Sequence, residues 1–194
     1  MPRIGTTLWI GCLQFFIAEQ FVRLGWTLPY SFANNYVSDL AAISCSTLVC
    51  SPRHALMNCS FVLQGLLIAS GVILTWRQGG ALGRTGMCLL LLCGAGVIVV
   101  GFVPEDVNSG LHRIGAAMHL LAGGLGMMAV GSNLGRWFGW ISVAAGFAVL
   151  TATATLGVGS ERWTAMMGAG SIERVAVYGV AGWMVAAGIY FYSR

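Results

Sequence analysis

The chain has 194 residues, of which 57% are hydrophobic and only 8% are charged, and its formal net charge is +4 at pH 7. A soluble domain carries roughly a quarter charged residues, so this composition excludes an ordinary soluble protein and predicts an integral membrane protein. The ten basic residues are all arginines. With no lysine and no basic cluster, nothing in the chain favours nucleic-acid binding.

Six apolar runs are each long enough to cross about 30 Å of hydrocarbon as a helix. Glycine is abundant, with 28 residues, which suits helices that approach closely in lipid. The sequence therefore predicts an all-α fold, a polytopic membrane protein in which residues 1–194 form one transmembrane domain. We expect a bundle of six transmembrane helices with a long first extracytoplasmic loop, the spans lying at about 5–22, 55–76, 85–103, 112–131, 137–157 and 172–192.

The first span contains one ionisable residue within its apolar sequence, Glu19. A charged group at that depth is costly unless it faces the bundle interior and finds a partner. Arg23 lies one helical turn later, so a structural Glu19–Arg23 pair is one interpretation. A carboxylate that binds a ligand or handles protons is the other. The span lacks a small-residue cleavage site, and we expect a retained helix rather than a signal peptide.

The link from Arg23 to Arg53 is too long and too apolar to be a plain solvated loop. We expect it to fold back over the mouth of the bundle with a short helix, carrying Asp39. Cys45 and Cys50 lie in this link, on the side that we assign as oxidising, and they are candidates for a disulfide.

The second span opens with Ser51 and Pro52, the signature of an N-cap serine followed by proline at the first helical position. This start places His54 in the first turn and Asn58 one turn deeper on the same face. Capping and anchoring at the membrane interface are one interpretation of these residues. A contribution to a ligand site, together with Arg53, is the other.

The link between the third and fourth spans collects Glu105, Asp106 and His112, followed by Arg113 and His119. The two histidines are seven residues apart, about 10 Å along a helix, which is too far for two ligands of one zinc ion from one helix. A metal would need ligands from other helices, and we expect none. His112 suits proton transfer near neutral pH, whereas His119 should be a hydrogen-bonded group inside the bundle.

Two pairs of acid–base neighbours flank the apolar link before the last span, Glu161-Arg162 and Glu173-Arg174. Adjacent residues in a helix do not face each other, so we expect these side chains to meet partners on other helices. A salt-bridge collar around the mouth is one interpretation, and a set of ligand-binding groups is the other.

The arginines divide evenly between the two ends of the spans, so the positive-inside rule does not decide the orientation. Every acid lies at one end; the acid-free end carries Arg3, Arg77, Arg84, Arg136 and Arg194. We expect the short acid-free turns to be cytoplasmic. Both termini are then cytoplasmic, and the acid-rich mouth lies outside the plasma membrane.

Four motifs follow one another along the chain: YVSDLAA, CSPRHALMN, FVPED and LHRIGAAMH. In this combination the chain resembles the bacterial and archaeal integral membrane proteins of the family called domain of unknown function 998. The resemblance covers nearly the whole chain and implies the fold and membrane residence, without a particular reaction. Ala41 stands where the family pattern leads us to expect glycine; the positions that match recurring polar residues of the family are Ser38, Asp39, Ser51, Pro52, Asn58, Glu105, Asp106 and His112.

Three functions fit these residues, and the sequence does not identify a cofactor. The first is a polar pocket at the extracytoplasmic mouth that binds or modifies a lipid or other amphipathic molecule. Its candidate catalytic groups are Asp39, Glu105, Asp106 and His112. Its candidate ligand-binding groups are Glu19, Arg23, Arg53, His54, Asn58, Arg113, His119, Glu161, Arg162, Glu173 and Arg174.

The second function is a small transporter or permease. The third is a non-catalytic accessory subunit, partnered by a second copy of the chain or by another membrane protein. We favour the lipid pocket, because a transporter should carry ionisable groups near the middle of several helices, and the deeper parts of these spans are almost wholly apolar.

Overall fold

The computed structural model describes residues 3–76, 81–134 and 137–193, without the side chains of residues 81 and 82. Arg77, Arg136 and Arg194 of the orientation argument lie outside the described residues. Two 3₁₀ turns occur, at Gly11–Leu13 and Ser38–Ala41. The α-helices are α1 (Arg3–Ile10), α2 (Gln14–Arg23), α3 (His54–Thr75), α4 (Ala81–Phe102), α5 (Ser109–Ser132), α6 (Trp137–Gly157), α7 (Glu161–Met167) and α8 (Ala169–Tyr192).

Five helices of the described chain are long and apolar enough to cross a membrane: α3, α4, α5, α6 and α8. These correspond to the second to sixth predicted spans, and the ends differ by four residues at most. The first predicted span is not a single long α-helix, because the 3₁₀ turn divides it into α1 and α2. Helix α7 was not predicted, since its seven residues are too few to give a recognisable apolar period.

The long helices form an antiparallel ring. Along the chain α3 packs on α4, α4 on α5, α5 on α6 and α6 on α8, and the ring closes where α8 and α3 both pack on α1. Antiparallel packing brings one set of helix ends together with the loops 24–53, 103–108 and 158–168. All six acids of the sequence lie there, and we call this part of the molecule the acidic end.

Glycines allow neighbouring helices to cross in backbone contact. A Cβ atom placed on Gly96 of α4 would lie 2.6 Å from the carbonyl oxygen of Gly115 on α5, and one on Gly146 of α6 would lie 2.5 Å from that of Gly124. Lipid offers no hydrophobic driving force between helices, so close contact of this kind supplies much of their packing energy.

The loop between α2 and α3 covers the acidic end of the ring. Its residues 30–41, which we call the strap, include the buried side chains of Val37, Leu40 and Ala41. They belong to an apolar cluster with Phe15 of α2 and Met57 of α3. The strap is therefore a packed part of the bundle and positions polar groups above its interior.

Candidate functional site

A buried ion pair joins the first and last parts of the chain at the acidic end. Arg174 of α8 lies 3.2 Å from Glu19 of α2, measured from Nη2 to Oε1, and the Glu19 side chain has no solvent-exposed surface. Tyr178, one turn after Arg174, donates its hydroxyl to the other carboxylate oxygen at 2.6 Å. The expected Glu19–Arg23 pair was wrong. Arg23 instead donates to Gln20 and lies over the ring of Phe32, because Glu19 faces α8.

Arg174 also holds the strap. Its Nη1 donates to the carbonyl oxygens of Phe32 at 2.9 Å and Asn35 at 2.8 Å, and its Nη2 donates to the Tyr30 hydroxyl. The neighbouring Glu173 accepts a hydrogen bond from the backbone N–H of Val37. The two adjacent charged residues of α8 thus both hold the strap, and they contact different residues of it because neighbouring side chains on a helix do not face each other.

Burial in this cluster affects the Tyr30 phenol. Desolvation raises its pKa to about 12, against the opposing effect of the Arg174 guanidinium. Tyr30 is therefore a neutral hydrogen-bonding group at any physiological pH.

Asp39 and Asp106, both predicted as catalytic, are hydrogen-bonded to loop backbone. Asp39 accepts from the N–H of Tyr36 at 2.9 Å, and Asp106 accepts from the N–H of Ser44 at 2.7 Å. Desolvation raises the pKa of Asp39. For Asp106, desolvation acts in the same upward direction, but hydrogen bonds from the backbone of Ser44 and Ile43 outweigh it and lower the pKa. Both carboxylates therefore stabilise the conformation of the loop between α2 and α3.

The start of α3 likewise holds the loop. Ser51 was expected to cap α3, but its hydroxyl donates to Leu40 at 2.7 Å, and α3 begins at His54 without a side-chain cap. The capping prediction was wrong, because the Ser51 hydroxyl donates to the carbonyl oxygen of Leu40 in the strap instead of capping the helix. The side-chain amide of Asn58 donates to the carbonyl oxygen of Ala41 at 3.0 Å. The guanidinium of Arg53 donates to the carbonyl oxygen of Phe21 at 2.6 Å.

Cys45 and Cys50 are joined by a disulfide, with their Cα atoms 4.3 Å apart. It closes a short loop between the strap and α3.

Beneath the strap lies a chamber of about 40 Å³. A single buried water needs about 10–15 Å³ on this measure, so the chamber has room for two or three water-sized groups. Its apolar lining comes from α2, α3, α4, α5 and α8 and from Val37 of the strap. Its polar lining consists of Ser38, Gln64, His112, His119 and Glu173.

Gln64 of α3 marks the deep side of the chamber. Its side chain is 2% exposed, and its Oε1 accepts from Gln14 of α2 at 3.2 Å. Its Nε2 has no hydrogen-bond partner among the described residues. A buried amide N–H without a partner costs about 1–3 kcal/mol. A hydrogen-bond acceptor in the chamber that reached Gln64 Nε2 would therefore stabilise the bundle.

An open groove of about 650 Å³ adjoins the chamber at the ends of α5, α6 and α8. The groove and the chamber share five lining residues: Ser38, His112, Ala116, Leu120 and Glu173. At the rim, Arg113 and Glu105 form an exposed ion pair, 3.8 Å from Nη2 to Oε1. The groove thus passes from a charged rim to an apolar wall of Ala116, Ala117 and Leu120, with the chamber beside it.

The two histidines that line the chamber have similar hydrogen bonds. Nδ1 of His112 lies 2.8 Å from the carbonyl oxygen of Val103, and Nδ1 of His119 lies 3.1 Å from that of Cys93. A carbonyl oxygen can only accept, so each Nδ1 carries a hydrogen, and Nε2 of the neutral ring is left as an acceptor. Within the described part of the chain, no three histidine, cysteine, aspartate or glutamate side chains are grouped as ligands of one metal ion.

The structure therefore brings together only part of the predicted site. Glu105, His112, Arg113, His119 and Glu173 border the chamber or the groove. Glu19 and Arg174 form the ion pair beside them. Arg23, which is half-buried, and the exposed Glu161 and Arg162 border neither void. Sequence reasoning missed Tyr30, Gln64 and Tyr178. The four-residue spacing from Arg174 could have indicated Tyr178, since such residues share a helix face.

Comparison with known proteins places the chain in a family. The family model described as "Protein of unknown function (DUF998)" matches residues 9–190. Searches of curated proteins and of solved structures found no match. The family match includes the ring of helices, the strap and the residues of both voids. The chain therefore belongs to the DUF998 family.

Proposed function

We propose that residues 3–23 form a sixth membrane crossing and that the acidic end faces the outside of the plasma membrane, with both termini in the cytoplasm. Helical structure runs without a break from Arg3 to Arg23. At about 1.5 Å per residue it covers about 30 Å, the thickness of the hydrocarbon core. The Cys45–Cys50 disulfide at the acidic end supports this orientation, because disulfides persist outside the cytoplasm.

The function that this geometry supports best is binding of a membrane lipid, or a similar amphipathic molecule, in the groove. The observation that carries the proposal is the change along the groove from the charged rim at Glu105 and Arg113 to the apolar wall at Ala117 and Leu120. A molecule with a polar head and an apolar tail matches this change. Arg113 is well suited to an anionic head group, because its guanidinium can donate two parallel hydrogen bonds.

Modification of the bound molecule would use His112 and Glu173. Both border the groove and the chamber, and Nε2 of His112 is left as an acceptor because Nδ1 donates to the carbonyl oxygen of Val103. A carboxylate and a histidine in one cavity are the groups that general acid–base chemistry requires. We therefore propose these two residues as the acid–base groups in place of Asp39 and Asp106.

Transport across the membrane is less well supported. The polar lining of the chamber ends at Gln64, and nearer the acid-free end Trp9, Ile68 and Val72 are fully buried. A permeation path would have to cross this apolar layer, so the geometry favours a site open to one side only. An accessory subunit remains the alternative if no small molecule binds.

The test is mass spectrometry of lipids that remain with the chain after transfer into nanodiscs of defined lipid. Ala117→Trp fills the groove without changing any charge, and we expect it to remove most of the retained lipid. Ala144→Trp is the matched control, because it makes the same change on an exposed position of α6 outside the groove.

The proposal predicts at least a fivefold difference in retained lipid between these two variants. Equal retention by both variants and the native chain would contradict groove binding. No retention above bulk lipid would favour the accessory subunit.

A further inference from the structure

We infer that the head group recognised by this site is a zwitterionic phosphate ester with a primary ammonium group, and that the ammonium binds at Glu173. The inference rests on the proposed lipid-binding function and names the class of lipid. The structural basis is the order of charged groups from the rim of the groove to the chamber.

Glu173 has no cationic partner among the described side chains. The guanidinium of Arg174 is directed to Glu19, and that of Arg113 to Glu105 at the rim. The Glu173 carboxylate accepts hydrogen bonds from the backbone N–H groups of Val37 and Ser38, which carry no charge. A partly buried carboxylate in this position favours a cation from the ligand, because an uncompensated charge is costly to bury.

The size of the chamber selects among cations. About 40 Å³ accommodates groups of the size of water, which an ammonium group resembles. An ammonium also has three N–H donors, and acceptors are present in the Glu173 carboxylate, His112 Nε2 and the Ser38 hydroxyl. A trimethylammonium group has no N–H donor and is larger by three methyl groups, so it would leave these acceptors unsatisfied.

We expect the anionic part of the head group, its phosphate, to bind at Arg113. Its side chain is 75% exposed, and its distance to Glu105 is 3.8 Å, so this surface pair is weak. A phosphate can replace Glu105 and accept two hydrogen bonds from the guanidinium. The ligand would then place its phosphate at the rim, its ammonium at the junction and its acyl chains along Ala116, Ala117 and Leu120.

The experiment is a competition between lipids with identical acyl chains in nanodiscs, with the retained lipid measured by mass spectrometry. The series consists of phosphatidylethanolamine, its N-methyl and N,N-dimethyl derivatives, phosphatidylcholine and phosphatidylglycerol. We expect retention to fall about tenfold from phosphatidylethanolamine to phosphatidylcholine, in steps that follow the loss of N–H donors. Phosphatidylglycerol should also be retained less than phosphatidylethanolamine.

Two variants locate the two charges. Glu173→Gln should abolish the preference for phosphatidylethanolamine over phosphatidylcholine. Arg113→Gln should instead lower the retention of both lipids by a similar factor. Arg162→Gln is the control for Arg113→Gln, because Arg162 is an exposed arginine at the same end that borders neither void.

The inference is overturned if the native chain retains phosphatidylcholine or phosphatidylglycerol as well as phosphatidylethanolamine, or if Glu173→Gln keeps the preference. If head groups are not distinguished but Ala117→Trp still removes the lipid, only this inference fails. If no lipid exceeds the bulk, the proposed function fails with it. The methylation series uses the native chain, so it decides the question even if Glu173→Gln does not fold.

Discussion

At the scale of single residues, the acidic end is organised by Arg174. Its guanidinium contacts the carboxylate of Glu19, the carbonyls of Phe32 and Asn35, and the hydroxyl of Tyr30. Loss of this side chain would leave a buried carboxylate and several carbonyl groups without their donor. Removing one partner of a buried ion pair typically costs more than replacing both partners by apolar residues.

We therefore expect Arg174→Gln to lower the free energy of unfolding by about 3–5 kcal/mol. The double variant Glu19→Leu with Arg174→Met should recover a large part of this loss, because no charge remains buried. The measurement is reversible unfolding in mixed micelles. Equal stability of the single and double variants would show that the loss comes from the strap carbonyls instead of the unpaired Glu19.

Asp106 gives a prediction for acid pH. Its pKa is below the ordinary value of 3.8, so its hydrogen bonds stabilise the folded state above that pH, and the contribution is lost as the pH falls through the lowered pKa. We expect Asp106→Asn to have a lower Tm than the native chain at pH 7 and the difference to shrink below about pH 4. The effect should be small, because the carboxylate is exposed. A difference that is constant from pH 7 to pH 3 would contradict this account.

At the scale of elements, the contact between the strap and α8 depends on glycine. Gly168 precedes α8 with a φ of +78°, a conformation that other residues rarely adopt. A Cβ atom at Gly170, in the first turn of α8, would collide with the carbonyl group of Asn35. The strap can thus lie directly on the α8 backbone, where Glu173 and Arg174 reach it.

Gly170→Ala should accordingly push the strap from α8 and lower the free energy of unfolding by about 1–3 kcal/mol. Gly182→Ala in the same helix is the control, since a Cβ atom there meets nothing within 4 Å. That change should be neutral or stabilise the chain by up to about 1 kcal/mol. Hydrogen exchange of the amides of residues 30–41 provides the second measurement: it should accelerate only in Gly170→Ala.

At the scale of the whole molecule, the proposed topology places opposite ends of α6 on opposite sides of the membrane. With the native free cysteines replaced, Val158→Cys should react in intact cells with a maleimide that cannot cross the membrane, whereas Asn133→Cys and Arg3→Cys should not. Labelling of Asn133→Cys instead of Val158→Cys would invert the orientation. Labelling of both Val158→Cys and Arg3→Cys would mean that residues 3–23 do not cross.

The lengths of the helices could be predicted from sequence, and the partners of the charged residues could not. The bilayer sets the length of an apolar run, so the prediction of residues 137–157 agrees with α6 at both ends. Arg23 was the one partner considered for Glu19, because only local spacing is visible in a sequence. Its partner Arg174 is 155 residues away and becomes a neighbour only through closure of the ring. Gln64 was not predicted as a site residue, because its unpartnered Nε2 depends on the packing of α2 against α3.

The closure of the ring by α1, α2 and α8 also sets an order of events during biosynthesis. In the proposed topology Glu19 enters the membrane well before Arg174, which lies 155 residues later in the chain. Until the ribosome has delivered α8, Glu19 has neither the guanidinium nor the hydroxyl of Tyr178 near it, and an ionised carboxylate at that depth is costly. The strap likewise lacks its contacts with Glu173 and Arg174 until α8 is present. In that topology insertion of α8 completes the buried pair, and a nascent chain interrupted before α8 would keep an unpaired acid in the membrane.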